Sequence, residues 1–144
     1  MGKGLRMADR AQNARGRPLR AAIELPAQPQ VVSRARGFVK DMIELWDCED
    51  LDGVAVLLTS EIVTNAIRYS TEAIRLELSV TDDGVLTVET ADNHPDFPCV
   101  RPLSDSDEGG RGMRIVAALA RNWGVRPVNR HKVVWFEVPV RVLR

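Results

Sequence analysis

Between Ser70 and Ile74 the hydrophobic rhythm of the chain changes period, and this restricts the possible folds sharply. Upstream, Leu57, Leu58, Ile62, Ala66 and Tyr69 recur at helical spacing, with no Gly or Pro between Val54 and Ser70. Downstream, Ile74, Leu76, Leu78 and Val80 alternate with Arg75, Glu77 and Ser79, the pattern of a half-buried strand. Asp82-Asp83-Gly84 then signals a tight hairpin, with a return strand over Val85–Ala91 that ends on Asp92. A long amphipathic helix followed by a hairpin can bury both apolar faces only by packing one on the other.

The flanking segments extend this plan. Leu19–Leu25 reads as an edge strand ended by Pro26, and Pro29 suits the start of a helix over Val31–Trp46. One face of that helix carries Val32, Ala35, Phe38, Val39, Met42, Ile43 and Trp46. Asp47–Asp52 is an acidic connection, with Asp52 as the candidate N-cap of the central helix. Asp92–Glu108 is a long irregular segment containing Pro95, Pro98 and Pro102, long enough to suggest a functional loop. Gly109–Gly112 then open a helix over Met113–Trp123, with Met113, Val116, Ala117 and Ala120 facing inward. Strands over Gly124–Arg130 and Lys132–Val140 close the chain around a turn near Asn129–His131.

Strand, two helices, hairpin, loop, helix and hairpin give an α+β fold. The expected form is a two-layer α/β sandwich, with a mixed, mostly antiparallel sheet and helices on one face. Residues 1–17, with Lys3, Arg6, Arg10, Arg15 and Arg17 against Asp9, read as a disordered basic arm, and 18–144 as one domain. The 144 residues carry zero formal net charge, which argues against a whole-surface nucleic-acid or membrane binder. No apolar run is long enough to span a bilayer, and Cys48 and Cys99 lack metal or redox spacing. A cytoplasmic protein with free thiols is the expectation.

Chemistry concentrates on the central helix. Glu61 and Asn65 are four residues apart and Arg68 follows three later, so all three share one stripe. A carboxylate, a carboxamide and a guanidinium can offer a base, an oxygen ligand for a hard cation and a phosphate partner. Taken alone, they equally describe a solvated helix face. Gly110-Arg111-Gly112 at a helix start can present backbone N–H groups to an anion, or simply form a flexible loop end. It fits neither a dinucleotide fingerprint nor a P-loop. Asp92 can accept the exocyclic N–H of an adenine, or make a turn with Asn93. His94 and His131 have no partners at metal spacing and read as surface residues.

In this order, Glu61-x-x-x-Asn65, Asp92 and Gly110-x-Gly112 resemble the N box and the two glycine boxes of the GHKL ATPase superfamily. The stretch EIVTNAIRYS, the opening LPAQPQVVSRAR, the box GGRGMRIV and the closing VVWFEV resemble its small stand-alone members, the anti-sigma factor serine kinases. The resemblance implies a histidine kinase-like ATPase fold that binds ATP and Mg²⁺. Asn65 would hold the metal and Asp92 the adenine amine. Amides around Gly110, Arg111, Gly112 and Met113 would wrap the phosphates, with 93–109 as lid. Arg68 would be a further phosphate contact, and Glu61 the general base toward a serine hydroxyl. It further implies an anti-anti-sigma protein as phosphorylated partner, a sigma factor as sequestered partner, and a homodimer. The competing reading is a catalytically weak or inactive regulatory module of the same fold. Departures from the family pattern are DNHP in place of the first glycine box, Tyr69 for a histidine, and the acidic SDSDE in the lid. Val133 or Val134 is expected where a threonine ordinarily assists the adenine-binding aspartate.

Overall fold

The computed structural model describes residues 19–70, 72–92, 108–128 and 131–143, without the side chains of 69, 108–111 and 131. The basic arm, residues 93–107 of the lid expected over 93–109, His94 and Cys99 lie outside the described residues, and the last two positions of that expected lid fall in a helix. Strand β1 (Leu19–Leu25) leads to α1 (Val31–Leu45), the short β2 (Cys48–Glu49), a 3-10 turn (Leu51–Gly53) and α2 (Val54–Tyr69). Then come β3 (Ile74–Val80), β4 (Val85–Asp92), α3 (Glu108–Leu119), β5 (Asn122–Val128), β6 (His131–Pro139) and β7 (Arg141–Val142).

Five strands form one sheet in the order β1-β3-β4-β6-β5, and every neighbouring pair is antiparallel. Strict alternation decides which face is covered. Ile74, Leu76, Leu78 and Val80 of β3, Leu86 and Val88 of β4, and Val134, Phe136 and Val138 of β6 are buried. The three helices of the described residues gather on that side: α2 packs across β4 and β6, flanked by α1 and α3. Each such side chain contributes about 1.5–3 kcal/mol relative to exposure, so the inward rows hold the two layers together. The opposite face is polar and laced by exposed ion pairs, Arg20–Glu77 at 3.2 Å and Arg126–Glu89 at 2.7 Å. Exposed pairs of this kind contribute about 0–1 kcal/mol each and mainly keep the face wet.

Several local details differ from the sequence reading. The cap of α2 is Asp50 rather than Asp52: its carboxylate accepts from the backbone N–H of Ala55 at 2.8 Å and Val56 at 3.1 Å. The 3-10 turn folds the chain back, with Asp52 and Gly53 at positive φ, so the acid three residues before the formal N-cap reaches the open amides. Helix α3 starts at Glu108 and ends at Leu119, so the glycines lie inside its first turns rather than before it. Arg121 N–H donates to the Glu137 carbonyl at 2.8 Å, which draws Asn122–Val128, including Trp123, into the sheet. Of the expected inward residues of α3, Met113 and Val116 are buried, whereas Ala117 is exposed. The acidic connection also contains a strand: β2 pairs with β7, placing the buried Cys48 opposite Val142.

The tip of the β3–β4 hairpin explains one glycine. Gly84 has φ +83°, and a Cβ there would lie 2.7 Å from the backbone oxygen of Val140. Val140 N–H donates to the Gly84 carbonyl at 2.9 Å, so the turn is stitched to the end of β6.

Candidate functional site

The inward rows turn polar at one end of the sheet. Along β4 the buried series Leu86, Val88 continues as Thr90 and Asp92; along β6 Phe136 and Val134 continue as Lys132. Asp92 stands directly opposite Lys132 in the β4–β6 register. The Lys132 ammonium lies 3.6 Å from Asp92 Oδ1, with the two side chains 2% and 0% exposed. Thr90 Oγ1 donates to the Val134 carbonyl at 3.5 Å. Removing either member of such a buried pair alone costs about 3–5 kcal/mol, because the other charge is stranded.

Lys132 is the residue that sequence reasoning missed. The residue facing Asp92 from the last strand is this lysine, and neither Val133 nor Val134 takes that place. The available signal was alternation: counting back from Phe136 and Val134 puts position 132 on the core face.

Helix α2 lies across β4 and β6 and supplies the next group. Its stripe is graded in exposure: Glu61 is half-buried, Asn65 is buried and Arg68 is exposed on the last turn. Asn65 Nδ2 is buried with no hydrogen-bond partner among the described residues, a donor of the kind that folded chains seldom leave open away from a ligand site. Burial pushes the Glu61 carboxyl above the ordinary carboxylate range by disfavouring its charge.

Helix α3 closes on Glu61. A Cβ built on Gly112 would sit 2.9 Å from Glu61 Oε1, so the glycine leaves space for that carboxylate. Residues 61 and 112 therefore come together in the fold. Gly110 and Arg111 fall within the first turn of α3, where four backbone N–H groups have no intrahelical acceptor. The Met113 side chain faces inward as expected: it is 1% exposed and belongs to the hydrophobic core, so only its backbone is left for the phosphates. Its N–H sits two residues beyond those four open groups.

As a donor set for Mg²⁺, the described residues provide the Asn65 amide oxygen with Glu61 one turn away, and no cluster of three or more His, Cys, Asp or Glu. This suits a cation that keeps several waters and takes most remaining ligands from substrate phosphates. A separate cavity of about 950 Å³ lies at the end of α1, lined by Asp41, Glu44, Asp47, Glu49 and Asp50, and none of the candidate site residues borders it.

Residues 25–138 match the family model described as the histidine kinase-like ATPase domain. The chain belongs to that family. Among solved structures, the RsbU and RsbW domains of Rv1364c from Mycobacterium tuberculosis share the fold at a TM-score of 0.64 and 16% identity. That match covers 84% of this chain and 32% of the other, so this histidine kinase-like ATPase domain spans about a third of its neighbour. The histidine kinase domain of the blue-light activated histidine kinase from Erythrobacter litoralis EL346 gives 0.49 at 19% identity, over 80% of this chain and 61% of that. Acinetobacter baumannii histidine kinase AdeS gives 0.49 at 14% identity, over 96% of this chain and 76% of that. No curated protein matches the chain. Among the described residues, no helix of this ATPase domain is long and apolar enough to cross a membrane.

Proposed function

We propose that this domain binds ATP and transfers its γ-phosphate to a serine of an anti-anti-sigma protein, while its unphosphorylated partner state governs capture of a sigma factor. The observation that carries this reading is the meeting of Glu61 with Gly112, which sets a half-buried carboxylate against the first turns of α3. Asn65 lies one turn along the same helix, and the buried Asp92 ends the inward row of β4 beneath α2.

In this reading the open amides of Gly110 and Arg111 hold the phosphate tail, aided by the positive end of the helix dipole. Asp92 accepts from the exocyclic amine of adenine. Asn65 and Glu61 face the phosphates; Asn65 would hold Mg²⁺ there, and the ion would supply charge neutralisation to the phosphate tail. Glu61 takes the proton of the partner's serine hydroxyl as the serine oxygen bonds to the γ-phosphorus. The bond between that phosphorus and the β–γ bridging oxygen breaks, and ADP leaves. The raised proton affinity of Glu61 suits it to accept that proton. Phosphorylation would add about −1.5 to −2 charges to the partner and change its docking.

A second reading, a partner-binding module without transfer, is favoured by one observation: Asp92 is already engaged by Lys132. Transfer of labelled phosphate from ATP to the anti-anti-sigma proteins of the same genome separates the two. The proposal expects label on serine, lost in Glu61→Ala while ATP binding persists. Absence of label on every such partner, with ATP still bound, would leave the module reading standing.

A further inference from the structure

We infer that Lys132 is a second base-reading residue, which donates a hydrogen bond to N1 of the adenine whose amine is accepted by Asp92. This rests on the nucleotide-binding reading above and assigns to that site a residue outside the motifs that suggested it.

Three observations carry it. First, the lysine is placed by register and not by chance reach: Asp92 and Lys132 are direct partners at the ends of adjacent inward rows. Second, every neighbour down those rows is apolar or a threonine, and a buried ion pair is generally no more stable than well-packed apolar residues of similar volume. Stability alone therefore gives no reason for a lysine at the end of the row, and costly charges of this kind concentrate at functional sites. Third, the ammonium stands 3.6 Å from the carboxylate oxygen, beyond the roughly 2.7–2.9 Å of a direct charge-assisted bond. The two groups lie side by side, near enough to share one ligand edge.

The chemistry of that edge is specific. An ionised carboxylate only accepts and an ammonium only donates, so the pair presents an acceptor beside a donor. Adenine offers the complement: the N6 amine donates and the adjacent N1 accepts. Guanine offers the reverse, with O6 toward the carboxylate and N1–H toward the ammonium. The Asp92–Lys132 pair thus favours adenine and opposes guanine at two adjacent atoms.

The test is calorimetric titration of the full chain with ATP, 1-deaza-ATP and 7-deaza-ATP in Mg²⁺ buffer. Wild type should bind 7-deaza-ATP like ATP, and 1-deaza-ATP, which lacks the N1 acceptor, roughly tenfold or more weakly. In Lys132→Met that penalty should vanish, because the donor is gone from both complexes. In Lys132→Gln, which keeps a shorter, uncharged polar side chain beside Asp92, it should shrink to about threefold or less. Thermal melts identify which variant is folded. Equal binding of ATP and 1-deaza-ATP by wild type, or a tenfold penalty persisting in a folded Lys132 variant, would overturn the assignment while leaving nucleotide binding intact. Failure of ATP itself to bind would remove the nucleotide reading and this inference together.

Discussion

Replacing Gly112 by alanine should separate stability from catalysis, because the two effects act on different atoms. The new methyl would lie 2.9 Å from Glu61 Oε1, with Glu61 Cβ and Cδ at 3.9 and 4.0 Å. The first distance is roughly half an ångström or more short of an ordinary contact, while the others are comfortable. The clash thus falls on the free end of a flexible side chain, which can swing aside at little cost. Alanine in a helix interior gains about 0.5–1 kcal/mol over glycine. Gly112→Ala should therefore melt at the wild-type temperature or up to about 3 °C above it.

Transfer should respond differently. A base displaced by about an ångström can lose on the order of 100-fold in rate, and the whole contribution of a general base is about 10²–10⁴-fold. Single-turnover phosphate transfer at saturating ATP should fall by roughly 10- to 100-fold, with ATP affinity changed by less than about threefold. A folded Gly112→Ala protein with undiminished transfer would show that the position of Glu61 is irrelevant to the chemistry. A loss of more than about 5 °C in melting temperature would show that Glu61 cannot yield, and that the contact is structural.

Two further outcomes follow from the same geometry. The Glu61 carboxyl has its proton affinity raised by burial, so its charged form costs the fold stability; that cost is absent below the ordinary value of 4.5 and complete once pH exceeds the folded value. Glu61→Gln should therefore melt above wild type at pH 7–8 and converge with it below about pH 4 in a pH series of thermal melts; a pH-independent offset would contradict this. Asp50→Ala removes both acceptors for the Ala55 and Val56 amides and should cost about 1–2 kcal/mol by urea denaturation, whereas Asp52→Ala should change little; the reverse order would refute the cap assignment.

The sequence made the sheet readable where one face is buried. The β3–β4 hairpin and the central helix appear at their expected positions because period two and period 3.6 are hard to confuse over seven or more residues. Element ends were less legible. Glycines at 109, 110 and 112 look like a loop by propensity, yet they sit in α3, where Gly112 leaves room for the side chain of Glu61 from the preceding helix. Asp50 was hidden because its capping reach depends on a turn with two residues at positive φ. Lys132 was passed over because a lysine is seldom expected on a core face, although alternation from Phe136 pointed there. The stripe of Glu61, Asn65 and Arg68 was visible from spacing alone. Its grading from half-buried through buried to exposed depends on neighbours that spacing does not reveal.

The most direct test is titration calorimetry of the purified chain with ATP and Mg²⁺, repeated with Asn65→Ala and with the doubly neutralised Asp92→Asn/Lys132→Met. If α2, the end of β4 and the first turn of α3 grip a single nucleotide, wild type binds one ATP per chain, and each folded variant loses at least about tenfold in affinity. Silence from wild type at millimolar ATP, or full affinity in both variants, would contradict the account at its centre.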